Sequence, residues 1–146
     1  MRLMVISDTH GHVKAAVRAW REYGPWDQVV HLGDSLGDAV ALAADIRNDV
    51  LAIRGNNECP AAGSGDEIFF AADGVHFYAT HGHLFDLNAW GGDFEARLHL
   101  LSERGRSGGA EVALFGHTHQ PMVRVVDGVM LVNPGAMGLG DRKSVV

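Results

Sequence analysis

The sequence predicts an α/β protein with parallel strands, on three observations. Apolar stretches of strand length alternate with stretches of helical periodicity over roughly the first third of the chain. Two Asp-Gly pairs, Asp73-Gly74 and Asp127-Gly128, each separate two short apolar stretches, which is the pattern of a β-hairpin. The chain has 146 residues, of which 47% are hydrophobic and 21% charged, and this balance is typical of one globular domain.

The first third of the chain alternates between strands and helices. Residues 2–7 (RLMVIS), 28–32 (QVVHL) and 50–55 (VLAIRG) are short apolar stretches that predict three strands. Apolar residues recur at helical spacing between them: Val13, Ala16, Val17 and Trp20 in the first interval, and Ala39, Leu42, Ala43 and Ile46 in the second. This β-α-β-α-β order implies parallel strands joined by right-handed crossovers.

The remainder of the chain predicts two hairpins with a helix and a strand between them. Residues 67–80 form the first hairpin pattern and residues 122–132 the second. Residues 93–104 place apolar side chains on one helical face, and Gly105 is expected to end that helix. Residues 111–115 (EVALF) read as a buried strand. Without repeats or a linker, we expect one domain over residues 1–146, with its strands in one mixed sheet system.

Composition excludes several classes of protein. The single cysteine, Cys59, can form neither an intramolecular disulfide nor a thiolate zinc site. The formal net charge of −6, without a run of Lys or Arg, argues against a nucleic-acid partner. No apolar stretch is long enough for a membrane span, and the N-terminus enters a strand directly, so we expect a cytoplasmic protein without a membrane partner. The oligomeric state stays open, a homo-oligomer included.

Polar stretches rich in metal-ligand side chains follow five of the predicted strands: SDTHGH, GDS, GNNE, THGH and GHTH. Each alone has an ordinary explanation, such as a helix cap or a turn. The carboxyl ends of parallel strands share one edge of a sheet, however, so these side chains can converge. The candidates are Asp8, His10, Asp34, Asn56, His81, His117 and His119.

The candidate ligands predict a pair of divalent ions. Oxygen and imidazole ligands without thiolate suit Mn²⁺, Ni²⁺, Fe²⁺ or Zn²⁺ in a catalytic rather than a structural site. Seven ligands are too many for one such ion but suffice for two if a carboxylate bridges, and Asp34, after the central strand, is the natural bridge. Paired ions about 3.5–4 Å apart generate a hydroxide and clamp the transferring group in hydrolysis. Such a centre attracts anions, which favours a small-molecule phosphate ester as substrate.

The motifs DTH, GD, GN, HGH and GHTH, in this order, resemble the calcineurin-like metallophosphoesterases, and the short length with the late NPGA resembles their compact prokaryotic phosphodiesterase branch. The resemblance implies a four-layer α-β-β-α sandwich with two mixed β-sheets, and a phosphodiesterase that attacks with a metal-bridging hydroxide. By this resemblance Asp8, His10 and His119 bind the first ion, Asn56, His81 and His117 bind the second, and Asp34 binds both. Asp34, Asn56 and His117 then belong to the catalytic centre itself.

One position departs from the family pattern. Many relatives carry a histidine, thought to protonate the leaving group, where this chain has Asn57, and an amide cannot act as a general acid. His12 and His83 are candidates for a partial substitute, although each could instead be an outer or solvent-facing residue. Asp8 and His119 are expected to position the first ion through outer partners as well, with Thr9, Thr118 or the backbone accepting the outer imidazole hydrogens.

Three alternatives to a phosphodiesterase remain. A phosphomonoesterase or nucleotidase would use the same site and would prefer mono-esters. A non-catalytic scaffold would use the same fold, which also resembles a retromer subunit with a degraded site, but here all seven ligand positions are filled. A metal-storage or metal-sensing protein fits less well, because the ligands are scattered at strand ends rather than collected in a tail.

Overall fold

The computed structural model describes residues 1–58, 65–88 and 90–137, so Cys59 lies outside the described residues. The helices are α1 (Val13–Tyr23), α2 (Leu36–Ile46) and α3 (Phe94–Ser107), and His83–Phe85 form a single 3₁₀ turn. The strands are β1 (Leu3–Ile6), β2 (Gln28–His31), β3 (Val50–Ala52), β4 (Glu67–Ala72), β5 (Val75–Thr80), β6 (Val112–Leu114), β7 (Met122–Val126) and β8 (Val129–Asn133).

The first sheet contains β1, β2 and β3 in that order, all parallel. The predicted alternation of strands and helices is therefore confirmed. Both α1 and α2 cover one face of this sheet, where Met4 and Ile6 of β1 pack with Ala16 of α1 and Leu42 of α2. Six of the eight apolar positions that predicted the two helices, all except Ala39 and Ala43, take part in this contact.

The second sheet has the strand order β4-β5-β6-β8-β7. Its two antiparallel pairs, β4 with β5 and β7 with β8, are the predicted hairpins, and Asp73-Gly74 and Asp127-Gly128 lie at their turns. Strand β6 lies parallel to both β5 and β8, so the sheet is mixed. Leu98 and Leu101 of α3 pack against Tyr78 and Leu131 on its outer face.

The two sheets pack face to face through an apolar layer. Val5 and Val30 of the first sheet share this layer with Ala79, Leu114 and Val132 of the second. With α1 and α2 on one outer face and α3 on the other, the order of layers is α-β-β-α, as the resemblance implied. The resemblance also implied that both sheets are mixed, but the described strands of the first sheet are all parallel, and the second sheet is the mixed one. The loops after β1, β2, β5 and β6 meet at one edge, because the backbone N–H of Asp8 bonds the carbonyl of Gly33 and that of Gly116 bonds the carbonyl of His81.

Helix α3 corrects one sequence prediction. It continues through Gly105 to Ser107 and ends at Gly108. Gly105 is buried within the helix, on the face that packs against the second sheet, so this glycine does not terminate the helix. In the described part of the chain, no helix combines the length and apolar character that crossing a membrane requires.

Candidate metal centre

All seven candidate ligands follow strands and reach the edge where the two sheets meet. The structure gathers them into two adjoining groups. They are Asp8 and His10 after β1, Asp34 after β2, Asn56 after β3, His81 after β5, and His117 and His119 after β6.

The first group consists of Asp8, His10 and His119. Oδ1 of the buried Asp8 lies 3.1 Å from Nε2 of His119 and 3.9 Å from Nε2 of His10. The two imidazole rings stand edge to face with their centroids 5.5 Å apart. One carboxylate and two imidazoles directed at a common point, one side of which is open to solvent, suit a divalent ion with room for a substrate oxygen.

The second group forms around His81. Nδ1 of His117 lies 3.2 Å from Nε2 of His81 and 3.1 Å from Oδ1 of Asn56, while His81 Nε2 lies 3.5 Å from Oδ2 of Asp34. Nδ1 of His81 is 2.8 Å from the carbonyl oxygen of Leu32, so in a neutral ring Nδ1–H donates there and the Nε2 lone pair faces the group. Two ring nitrogens and two oxygens facing one another are a donor set that a cation would satisfy. A backbone carbonyl thus receives the outer imidazole hydrogen of His81.

Asp8 connects the two groups. Its Oδ1 lies 3.8 Å from His81 Nε2, and the ligand atoms of Asp8, Asp34 and His81 all lie within 4.8 Å of one another. Among the described residues Asp8 is thus common to both groups. Bridging by Asp34 stays a prediction.

The carboxylates and imidazoles shift each other's protonation. Burial disfavours the charge of Asp34, but hydrogen bonds from His81 and Asn57 outweigh this effect and lower the pKa of Asp34. Burial likewise disfavours charge on His81, yet Asp34 and Asp8 raise the pKa of His81. Burial and the neighbouring His81 lower the pKa of His117. At neutral pH Asp34 is therefore ionised and His117 is neutral, the forms in which both side chains bind metals.

The backbone at the site is strained. Five of the seven candidate ligands have a positive φ angle: Asp8 (51°), His10 (42°), Asp34 (57°), His117 (64°) and His119 (58°). For residues other than glycine the left-handed conformation costs about 1–2 kcal/mol each. Such strain persists only where the surroundings impose it, and its concentration at one set of side chains indicates a functional site.

Two glycines allow the loops to approach one another. A Cβ on Gly55 would lie 2.2 Å from Oδ1 of Asp34, and one on Gly116 would lie 2.0 Å from Oγ of Ser7 and 2.8 Å from Oδ2 of Asp8. Each glycine directly precedes a candidate ligand, Asn56 or His117. The glycines of the GN and GHTH motifs therefore have a steric role at the site.

Glu58 has a role that the sequence analysis missed. Its carboxylate accepts hydrogen bonds from the backbone N–H groups of Asp34 at 3.2 Å and Leu36 at 2.7 Å, and also from those of Ser35 and Gly55. It joins the loop that carries Asp34 to the loop that carries Asn56 and satisfies free donors at the start of α2. In the sequence, Glu58 is marked only as the last residue of the stretch GNNE, in which Asn56 was identified as the candidate ligand.

Asn133 holds the loop of His117 and His119 in the same way. Its Nδ2 donates to the carbonyl of Gly116 at 2.9 Å and to Oγ1 of Thr118 at 3.0 Å. Thr118 therefore receives hydrogen bonds from Asn133 and from the N–H of Gln120, instead of from an imidazole as expected. The hydroxyl of Thr9 also differs from expectation, since it pairs with His31, which is not a candidate ligand.

The three candidates for acid catalysis occupy different positions. Asn57 donates its side-chain Nδ2–H to Oδ2 of Asp34 at 2.8 Å. The ring of His83 lies 5.6 Å from that of His81 and 6.5 Å from that of His117, and its buried Nδ1 has no hydrogen-bond partner among the described residues. His12 precedes α1, with Nδ1 at 3.1 Å from the carbonyls of Thr9 and His10. Asn57 and His83 thus adjoin the second group of ligands.

Comparison with known proteins identifies a domain family and several relatives. The calcineurin-like phosphoesterase superfamily domain matches residues 1–145. A probable metallophosphoesterase of Bacillus subtilis is 30% identical over 141 residues, covering 95% of this chain and 76% of that protein. A phosphodiesterase of Methanocaldococcus jannaschii is 26% identical over 152 residues, covering 92% of this chain and 83% of that protein.

Solved structures share the fold. A conserved protein of Streptococcus pneumoniae superposes with a TM-score of 0.74 and 26% identity, covering 93% of this chain and 72% of that one. Zinc-complexed Vps29 of Entamoeba histolytica superposes with a TM-score of 0.70 and 21% identity, covering 93% of this chain and 74% of that one. At that identity the likeness to Vps29 concerns the fold alone.

Proposed function

The chain belongs to the calcineurin-like phosphoesterase superfamily, and on that basis we propose that it is a metal-dependent phosphodiesterase with two divalent ions at the candidate metal centre. Similarity to the phosphodiesterase of Methanocaldococcus jannaschii supports this reaction. Asp8, His10 and His119 would hold one ion, Asn56, His81 and His117 the other, and Asp34 would bridge them.

The observation that carries the proposal is the adjacency of the two ligand groups through Asp8, with ring nitrogens and carboxylate oxygens facing one another. Bound ions at such a site supply activated water at neutral pH and stabilise the developing charge of a phosphoryl transition state. Mn²⁺ or Ni²⁺ suits the mixed oxygen and imidazole ligands, with Fe²⁺ or Zn²⁺ as further candidates.

The residues around the centre favour esters with good leaving groups. Asn57 has no acidic proton to give to a departing oxygen, and its amide is engaged with Asp34. Burial and the charge of His81 lower the pKa of His83, so His83 is mostly neutral at pH 7 and a weak source of protons. His12 stays a candidate for this role. We therefore propose that efficient turnover requires a leaving group that departs without protonation.

Metal analysis combined with an ester screen tests the proposed function. We expect about two ions per chain, loss of hydrolysis with a chelator, and recovery with Mn²⁺ or Ni²⁺. Bis-(4-nitrophenyl) phosphate should be hydrolysed faster than 4-nitrophenyl phosphate. The reverse order would favour the phosphomonoesterase or nucleotidase, and chelator-insensitive hydrolysis would refute a metal centre.

The scaffold alternative makes a different prediction. A protein that only binds partners does not require complete ligand groups, whereas each of the seven candidates here lies within 4 Å of another. Absence of hydrolysis on both mono-esters and bis-esters, with the metals bound, would be the result that favours a scaffold.

A further inference from the structure

We propose that Thr9 is a positioning residue at the centre of a hydrogen-bonded chain, His31 to Thr9 to Asp38, which fixes the loop of Asp8 and His10 against the loop of Asp34. The inference rests on the proposed function, since it concerns how these loops hold metal ions. Thr9 is 1% exposed and His31 is 0% exposed. Neither residue is a candidate ligand.

The three side chains bond in one consistent direction. Oγ1 of Thr9 lies 2.6 Å from Oδ2 of Asp38, and the ionised carboxylate can only accept, so the threonine hydroxyl donates. Nε2 of His31 lies 3.0 Å from the same Oγ1, so His31 donates Nε2–H to it. Nδ1 of His31 then accepts the backbone N–H of Gly33 at 3.2 Å. Both ring nitrogens of His31 and the hydroxyl of Thr9 thus have partners of the opposite kind.

The chain joins elements that carry different ligands. Thr9 stands between Asp8 and His10, and Asp38 also accepts the backbone N–H of Gly11 at 2.7 Å. His31 contacts Gly33, the residue before Asp34, and Asp38 lies in the first turn of α2, which follows Asp34. A shift of either loop would break a hydrogen bond of this chain and leave the buried side chain of Thr9 or His31 without its partner, which is unfavourable.

Strain explains why such a chain is needed. Both neighbours of Thr9 have positive φ angles, 51° at Asp8 and 42° at His10. This conformation relaxes unless contacts hold it. The carboxylate of Asp38 holds the segment at its Thr9 side chain and at its Gly11 backbone. Loss of these hydrogen bonds should therefore move the candidate ligands Asp8 and His10 away from the other ligands before it unfolds the protein.

Mn²⁺ binding to the full chain tests the role of Thr9. Thr9→Val removes the hydroxyl at nearly constant shape, and we expect it to weaken Mn²⁺ binding by about 10-fold or more, the lower end of the usual effect of residues that support metal ligands. In electron paramagnetic resonance, spin-coupled Mn²⁺ pairs should give way to isolated ions. Thr9→Ser keeps the hydroxyl and should restore both the affinity and the coupled spectrum.

Thr80→Val is the matched control. Thr80 is also fully buried and directly precedes a candidate ligand, His81, but its hydroxyl donates to the carbonyl of Asp66 at 3.2 Å, which lies outside the loops of Asp8, His10 and Asp34. Equal losses in Thr9→Val and Thr80→Val would overturn the proposal, as would unchanged Mn²⁺ binding in Thr9→Val. Should Thr9→Val fail to fold, Asp38→Asn weakens the chain from its other end and is expected to lower the affinity in the same direction, and unchanged binding there would overturn the proposal as well.

The proposed function can fail separately. A wild-type protein that binds one Mn²⁺ refutes the two-ion centre, yet the affinity for that ion in Thr9→Val still decides the role of Thr9. A wild-type protein that binds no Mn²⁺ refutes both.

Discussion

Acidification is expected to destabilise the metal-free protein through His31. Burial lowers the pKa of His31 from 6.5 to about 4, against a weaker opposing effect of Asp38 and other nearby carboxylates. Above pH 6.5 the ring is neutral in the folded and unfolded chain alike, so it contributes no difference. As the pH falls through 6.5, the unfolded chain binds a proton that the folded chain refuses, and stability declines until about pH 4.

The size of this effect follows from the two pKa values. Each pKa unit corresponds to about 1.4 kcal/mol, so His31 alone should lower the free energy of unfolding by roughly 2 kcal/mol at pH 5 and roughly 3 kcal/mol at pH 4. The ring is fully buried, so solvent does not screen the effect. A loss of this size is a large fraction of the 5–15 kcal/mol, roughly, that stabilises a typical domain.

Urea unfolding with a chelator, between about pH 7.5 and pH 5, measures the effect. Tryptophan fluorescence reports it, because Trp20 and Trp26 pack against the core cluster that contains Val29 of β2. The chain has nine histidines, so the decisive quantity is the difference between the wild type and His31→Gln. His76→Gln removes a histidine whose side chain is 65% exposed and serves as the control.

Between pH 7.5 and pH 5, we expect the free energy of unfolding of His31→Gln to fall by about 2 kcal/mol less than that of the wild type. This difference does not depend on the stability of the variant at pH 7.5. His76→Gln should follow the wild type. A pH dependence of unfolding that is the same in the wild type and His31→Gln would refute the assignment of a neutral, hydrogen-bonded His31.

Three further predictions concern the centre. Asp34→Asn should reduce hydrolysis more than His10→Ala, because a lost bridge affects both ions while water can replace one terminal ligand; equal residual rates would contradict the bridge. Asn57→His should accelerate esters of poor leaving groups more than activated ones, by up to about 10²–10⁴-fold; parallel plots of log rate against leaving-group pKa in the two proteins would exclude position 57 as the acid. Gly116→Ala places a Cβ 2.0 Å from Oγ of Ser7, which should lower the free energy of unfolding by about 1–3 kcal/mol and weaken metal binding; wild-type values in urea unfolding and Mn²⁺ titration would contradict the steric role of this glycine.

The elements of the fold were predictable because local patterns determine them. The two hairpins follow from Asp-Gly pairs, whose positive φ angles the structure shows at Asp73 and Asp127. The crossovers follow from apolar residues at helical spacing, which bury themselves on the first sheet. Gly105 was misread because a glycine within a helix and one after it look alike in sequence, and the helix in fact continues to Ser107 and ends at Gly108.

The supporting residues of the centre were not predictable, because their partners are distant in sequence. Glu58 bonds N–H groups more than 20 residues away, and His31 reaches Thr9 across 22 residues. Nothing in the letters near Asn133 indicates that its amide supports the loop of His117. Strand-end position indicates which side chains can be ligands, whereas the tertiary fold decides which side chains hold them.

Metal binding and folding should therefore be coupled in a way that separates ligands from their supports. An ion that binds only the folded chain raises its stability by an amount that grows with affinity. Loss of a terminal ligand, as in His10→Ala, removes part of the stability gained from metal binding. It relieves only a little of the backbone strain at His10, so the free energy of unfolding of the metal-free protein should change little. Loss of a support, as in Thr9→Val, breaks the hydrogen bonds of Thr9 with or without the ion, so both the metal-free stability and the stability gained from metal binding should fall. Urea unfolding of each variant with Mn²⁺ and with chelator measures the two quantities, and an unchanged metal-free stability in Thr9→Val would show that the loop of Asp8 keeps its conformation without the threonine hydroxyl.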